Sequence, residues 1–235
     1  MLNYEVDPAM LLPYLPAATM PDLWQGKTLV SMVGFMFNDT RVTGVKWPGH
    51  INFEEVNLRF YVKHFDGSEW KRGAVFISEI VPSKAIAFVA NNLFKEHYRA
   101  LTMRHSAEPG QEFTRYSYEW NLKGKWNKLA GDVENKFGAI SPDSPEEFIF
   151  EHYWGYNSLG PAKTMEYQVE HISWQVAQVK NLVFEADIAE LYGNEFVPFL
   201  QRQPYSAFFA KGSEISVRFG KKILADSALP VSPLP

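Results

Sequence analysis

The chain has 235 residues, 46% of them apolar and 15% aromatic, with a net charge of −4 and no cysteine. That length suits one domain with a sizeable core. The charge balance excludes a basic track for nucleic acid, and the missing cysteines exclude a disulfide framework, a thiolate nucleophile and a Cys-ligated zinc.

The first residues, MLNYEVDPAM, show no basic segment followed by an apolar one, and no apolar run approaches about 18 residues. The expectation is a soluble, cytoplasmic protein without membrane or nucleic-acid partners. Residues 7–16 read as a short helix, with Asp7 as N-cap and Pro8 in the first turn. Residues 27–39 alternate as a strand that is apolar on both faces. A glycine- and proline-bearing loop over 43–52 follows. Residues 53–62, FEEVNLRFYV, and 70–81 read as paired strands, with Asp66-Gly67 as the hairpin turn. Residues 82–94 take helical spacing. Segments 96–106, 112–122 and 126–138 read as a meander. Residues 141–157 read as a helix capped by Ser144, with Pro145 at its first position and Glu147 as reciprocal acceptor. A strand over 164–179, a helix over 187–201 broken near Gly193 or Pro198, and a last strand or pair over 206–220 complete the pattern. The fold class is therefore mainly β (α+β): nine or ten strands, mostly antiparallel, with three or four short helices. A sheet of that size closes or splits, and a barrel of that size can hold a small ligand.

The successive stretches NYEVDPAMLLPYLP, DLWQGKTLVSMVGFMF, NFEEVNLRFYV, RGAVFISEIVP, ANNLFKEHYRALTMRH, FEHYWGY and YQVEHISW resemble the YqjF-like family of uncharacterised bacterial proteins. That family is similar to the acetoacetate-decarboxylase-like barrel superfamily. The resemblance spans residues 1 to about 220. It implies a closed antiparallel β-barrel with short flanking helices and an internal cavity. The chain is divided accordingly into one barrel domain, 1–223, and a Pro-rich disordered tail, 224–235. In the decarboxylase, a lysine forms a Schiff base with a keto acid, its amine kept neutral by desolvation and a neighbouring cation. The corresponding stretch here is NNLFKEHY, where Lys95 stands without a second lysine and without the motif's glycine and proline. This departure argues against decarboxylation. RFGKKI, residues 218–223, reads as a surface cluster.

The candidate site rests on one face of strand 53–62. Side chains alternate across a strand, so Glu55, Asn57, Arg59 and Tyr61 form one row, which either faces water or lines the cavity. In a cavity, Arg59 suits a carboxylate by a bidentate pair, and Glu55 suits general acid/base work with a raised pKa. Lys95 is the secondary catalytic candidate, or an exposed turn lysine. Arg104 ends a strand and is either a ligand contact or a strand-end polar residue. Glu151, His152, Tyr153 and Tyr156 fall in the helix 141–157, as a plug over the cavity mouth or as aromatic packing. His171 lies on the face of Tyr167 and Val169, as a ligand contact or as a hydrogen-bonded core histidine. The histidines at 50, 64, 97, 105, 152 and 171 lack the spacing of a zincin, and no phosphate-cradling loop or dinucleotide fingerprint is present. The expectation is no cofactor and no metal. The leading functional reading is a cavity for a small organic ligand, a carboxylate or carbonyl compound, in a cofactor-independent enzyme of lyase or hydrolase type. The alternative is a non-catalytic binding or sensor protein using the same cavity. A homo-oligomer is compatible with either.

Overall fold

The computed structural model describes residues 1–41, 51–93, 96–218 and 220–224. Lys95, most of the expected loop 43–52 and nearly all of the Pro-rich tail lie outside these. In chain order the strands are β1 (Leu2–Val6), β2 (Met20–Pro21), β3 (Thr28–Phe37), β4 (Phe53–Phe65), β5 (Trp70–Val81), β6 (Tyr98–Ala100), β7 (Thr102–Pro109) and β8 (Phe113–Leu122). They continue with β9 (Lys125–Glu134), β10 (Gly138–Ala139), β11 (Trp154–Gly160), β12 (Lys163–Glu170), β13 (Gln175–Glu185), β14 (Ser206–Ala210), β15 (Ser216–Val217) and β16 (Lys221–Leu224). The α-helices are α1 (Lys84–Leu93), α2 (Pro145–Phe150), α3 (Ile188–Tyr192) and α4 (Val197–Leu200), with 3-10 turns at Pro8–Tyr14 and Asn194–Phe196.

The fold is mainly β with short helices, as its alternating segments require. The main hydrogen-bonded path runs β15-β12-β11-β5-β4-β3-β1-β14-β13-β9-β8-β7. Most neighbours are antiparallel; β11 and β6 each run parallel to β5. Among the described residues no pairing joins β7 to β15, so the path is open where the sequence led to a closed barrel.

β4 sits inside this path, bonded to β3 on one side and β5 on the other. Its even face, Val56, Leu58, Phe60 and Val62, enters the main core with Leu2, Val30, Met32, Trp120, Leu191 and Phe196. Its odd face is covered at both ends. Phe53 packs with Val81 and Ala87 under α1. Tyr61 packs with Phe148, Ile149 and Phe150 of α2. The polar residues of the row lie between these two apolar caps. A bulge sets their partners: Leu58 faces Ser78 while Arg59 faces Phe76, leaving Ile77 without an opposite residue. The extra residue puts Phe76 and Glu79, three apart in sequence, on the same face.

Local signals hold at several points. Asp7 accepts from the Ala9 amide at 2.8 Å. Ser144 accepts from the Glu147 amide at 3.2 Å. The Asp66 carboxylate accepts from the Ser68 and Glu69 amides in the hairpin turn. The expected break at Gly193 is present, at φ +109°. Two expectations change. The helix expected over 141–157 ends at Phe150, and 154–160 is β11. The strand expected over 164–179 is interrupted at 171–174 between β12 and β13.

β11 replaces the helix because β5 offers it a parallel edge. Trp154 pairs with Gly73 and Gly155 with Ala74. A Cβ at Gly73 would lie 2.5 Å from the Trp154 carbonyl oxygen and 2.6 Å from Tyr156 Cε2. Both strands are backbone-bonded there, so neither yields easily. Gly73→Ala is therefore expected to destabilise the protein by about 1–3 kcal/mol, the usual cost of overpacking. Its melting temperature should fall by about 2–4 °C per kcal/mol at this chain length. An unchanged melting temperature in a thermal denaturation scan would refute this strand contact.

Candidate functional site

The middle of the odd face is a buried carboxyl cluster. Glu55 is 2% exposed and Asn57 1%. Glu55 Oε1 accepts from Asn57 Nδ2 at 2.8 Å, and Oε2 accepts from the Tyr98 hydroxyl at 2.8 Å. Glu79, opposite Asn57 across the β4–β5 ladder, is 2% exposed. Glu96 accepts from the Tyr167 hydroxyl at 2.9 Å. Glu79 and Glu96 face each other, a contact that raises Glu79 and lowers Glu96.

The backbone explains how distant residues meet here. β6 runs parallel beside β5, placing Tyr98 against Glu79. Asn91, near the end of α1, imitates a strand partner. Its Nδ2 donates to the Tyr98 carbonyl at 2.9 Å, and its Oδ1 accepts from the Tyr98 amide at 2.7 Å. This clamp aims the phenol at Glu55. Tyr167 arrives from β12 over Gly155, where a Cβ would lie 2.1 Å from the Tyr167 ring.

Burial dominates the electrostatics. Desolvation pushes Glu55 up to about 7, with the Glu96 charge adding to the rise; hydrogen bonds from Asn57 and Tyr98 and the charge of Arg59 oppose it. Glu79 is raised well above its ordinary value by burial and then by the Glu96 and Glu55 charges. Burial also raises Glu96. Among the described residues, no three histidine or acidic side chains are disposed as metal ligands. The cluster is arranged to hold and exchange protons.

Arg59 lies further along the same row, half-buried, with its Cζ 5.7 Å from the Tyr61 ring centroid. Its Nε is buried without a hydrogen-bond partner, and no ion pair or hydrogen bond joins its guanidinium to a described residue. Tyr61, 1% exposed, is tied off differently: its hydroxyl meets Ser31 Oγ at 2.7 Å, and Ser31 donates to Asn3 Oδ1 at 2.6 Å. Beyond Tyr61 lies His152, its ring centroid 4.6 Å from the Tyr61 ring.

The structure thus brings Glu55, Asn57, Arg59 and Tyr61 together on one buried face. The other candidates fall elsewhere. Arg104 is exposed on β7, bonded to Glu119 at 2.5 Å and stacked over Trp126. Tyr156 is on β11, not on a plug helix, and enters the main core on the opposite side of the sheet; its hydroxyl donates to Glu166 at 3.2 Å. Glu151 caps α2, accepts from the Tyr153 and Ser173 hydroxyls, and edges a shallow surface pocket with Trp70, Lys71 and Trp154. His171 stacks between Tyr153 and Trp174 in the interruption after β12. Lys95 is outside the described residues. Sequence reasoning missed Glu79, Glu96, Tyr98 and Tyr167. Only Glu79 carries a local signal, as the one charge in the apolar run AVFISEIV.

Solved structures with the same fold are distant in sequence. Acetoacetate decarboxylase from Legionella pneumophila subsp. pneumophila str. Philadelphia 1 is 12% identical with a TM-score of 0.61, covering 94% of this chain and 82% of its own. The enduracididine biosynthesis enzyme MppR with HEPES bound is 13% identical, TM-score 0.62, covering 96% and 85%. An acetoacetate decarboxylase-like enzyme from Sphingomonas wittichii RW1 is 13% identical, TM-score 0.56, covering 94% and 86%. No protein of curated function matches the sequence. The model of the family DUF2071, described as "Uncharacterized conserved protein (COG2071)", matches residues 1–214, and the chain belongs to that family.

Proposed function

We propose that the chain binds a small organic carboxylate or carbonyl compound on the odd face of β4 and transfers a proton to and from it through Glu55, without a cofactor. The observation that carries this reading is Arg59, whose guanidinium has no hydrogen-bond or ion-pair partner among the described residues. An arginine does not shed its charge in proteins, and a half-buried cation without an anion is costly. A ligand carboxylate supplies the missing acceptors in a bidentate pair.

Glu55 and Arg59 are four residues apart on an extended strand, about 13 Å between Cα atoms. In this reading a ligand of a few carbons lies between their side chains. With the carboxylate on Arg59, ionised Glu55 takes a proton from the carbon beside the ligand carbonyl. The C–H electron pair becomes the C=C bond of an enolate as the carbonyl π pair moves to oxygen, and protonated Glu55 returns the proton to the same carbon. A group whose pKa is about 7 suits both halves of that cycle. In this reading the curled sheet and its flanking segments complete a barrel around the ligand. MppR, one of the fold relatives, is described in complex with pyruvate, which makes pyruvate the natural first probe.

Two outcomes test the site. Arg59→Lys keeps the charge but loses the fork. It is expected to weaken pyruvate binding at least tenfold, about 1.4 kcal/mol, and Arg59→Met to abolish it. Glu55→Gln should keep binding and lose deuterium exchange at the pyruvate methyl group, followed by proton NMR in heavy water. Equal thermal shifts with pyruvate in wild type and both Arg59 variants would exclude Arg59 as the anion holder. Binding without exchange in the wild type would leave the non-catalytic binding protein.

The carboxyl cluster also predicts a pH dependence of stability. Glu55 has an ordinary pKa of 4.5 and a folded value near 7, so the folded state binds more protons between those values. Stability therefore falls as pH rises from about 4.5 to about 7, and the raised Glu79 extends the fall in the same direction. Denaturant melts across this range should show a decline that Glu55→Gln flattens. A steeper decline in the variant would contradict the assignment.

A further inference from the structure

Beyond Tyr61 the interior holds a second polar device, which the proton transfer at Glu55 does not use. The His152 side chain is 3% exposed, and its Nε2 lies 3.1 Å from Asp22 Oδ2. The same carboxylate oxygen accepts from Arg72 Nε at 2.6 Å. Asp22 is itself fixed by its amide, which donates to the Tyr61 carbonyl at 3.0 Å. Burial alone would raise the Asp22 carboxyl, but the hydrogen bonds from His152 and Arg72 outweigh it, so it stays below the usual range and ionised. An ionised carboxylate only accepts. The hydrogen on the ring is therefore on Nε2.

The other nitrogen is then decided. Burial lowers His152 to about 4, assisted by the Arg72 and Arg59 charges and opposed by Asp22. The ring is neutral at pH 7, and Nδ1 is a bare lone pair. Nδ1 is buried and has no hydrogen-bond partner among the described residues. The ring cannot swing to find one, because it is held between Tyr61 at 4.6 Å and Phe148 at 5.2 Å. A histidine serving only to tie α2 to the sheet would have both nitrogens satisfied. Here one nitrogen is oriented by a carboxylate, and the other is presented empty.

Two unsatisfied groups of opposite kind thus lie beside one aromatic ring. Arg59 offers a donor and His152 an acceptor, each against Tyr61, and the two are close enough for the Arg59 charge to act on the His152 ring. We infer that His152 Nδ1 accepts a hydrogen bond from a hydroxyl on the ligand, so that the site selects carboxylates bearing a hydroxyl or enol beside the acid group. This inference rests on the proposed binding of a carboxylate at Arg59. Asp22 acts through His152 as a positioning residue, and Arg72 acts through Asp22.

A 2-oxo acid has only an acceptor beside its acid group, so a hydroxyl is what supplies the donor that Nδ1 lacks. A neutral acceptor with a low proton affinity reads that hydroxyl without stripping its proton. A plain carboxylate leaves Nδ1 empty, and a site built to pair with a hydroxyl rejects the analogue lacking one.

The test compares glycolate with acetate, and lactate with propionate, by calorimetry on the full chain. Wild type is expected to bind the hydroxy acids at least about tenfold tighter than the plain acids, the worth of about one hydrogen bond. His152→Phe keeps a ring between Tyr61 and Phe148 but has no acceptor. It is expected to lose the preference while binding acetate and propionate as wild type does. His152→Asn returns an amide oxygen and should restore part of the preference. A preference that survives in His152→Phe overturns the inference, as does an equal loss of plain and hydroxy acids. Should His152→Phe fail to fold, nitrogen-15 NMR of histidine-labelled wild type decides. Glycolate but not acetate should shift the Nδ1 resonance, and no shift with glycolate overturns the inference. Arg59-dependent binding without any hydroxyl preference defeats this inference alone. No carboxylate binding at all defeats the Arg59 reading with it.

Discussion

A strand buried on both faces has no solvent side on which to place polar side chains, and β4 is such a strand. The middle of its odd row carries three polar side chains, at Glu55, Asn57 and Arg59, between apolar caps. Burial of an ionisable group is answered in one of two ways: the group finds a counter-charge, or it becomes neutral. The carboxyl groups take the second route. Desolvation raises Glu55, Glu79 and Glu96, and neighbouring carboxylate charges add to the rise of Glu55 and Glu79. Arg59 has no neutral form to adopt. The same burial that quiets the acids leaves the arginine in need of an anion, and that asymmetry gives the row its chemical direction.

The surrounding elements maintain the constraint. α1 and α2 are short and would be marginal alone, and each is held by an apolar contact with one end of the row. α2 contributes three buried side chains in succession, Phe148, Ile149 and Phe150, before the chain leaves the helix and delivers His152. α1 contributes Ala87 to the Phe53 cluster and, through Asn91, the backbone clamp on Tyr98. The caps therefore exclude water and also place the hydrogen-bonding side chains at either end. In the low-dielectric space between them, an imperfectly paired group is costly and a completed pair is strong.

Much of this was legible in the sequence where the information is local. Alternation located β4 and put Glu55, Asn57, Arg59 and Tyr61 on one face; the Asp66-Gly67 turn, the Ser144 cap and the Gly193 break follow from residues within four positions of each other. The misread segments are those where tertiary pairing overrides local spacing. Residues 151–157 carry aromatics at helical intervals, yet Gly73 on a strand some eighty residues earlier offers them a parallel partner, and Tyr156 goes to the other side of the sheet. Tyr98 and Tyr167 reach Glu55 and Glu96 across 43 and 71 residues, a separation no periodicity encodes. Glu79 was visible as a lone charge in an apolar strand, but its face depends on the bulge at Ile77. Arg104 looked like its neighbours in type and was claimed by Glu119 instead.

The two ends of the row are electrically coupled, and this bears on how such a site works. The charge of Arg59 favours the ionised form of Glu55. A carboxylate seated on the guanidinium cancels part of that influence, so the bound ligand pushes Glu55 further up. Linkage makes the effect mutual: anion binding and proton uptake assist one another. In the proposed reading, raised carboxyls place less negative charge in the path of an arriving anion, and with the anion in place the fraction of Glu55 that ionises is smaller but more basic, which would suit proton abstraction from carbon. A fold shared with acetoacetate decarboxylase at 12% identity supplies the scaffold; in the proposed reading, the protons these side chains hold, set by what each one meets in the interior, supply the chemistry.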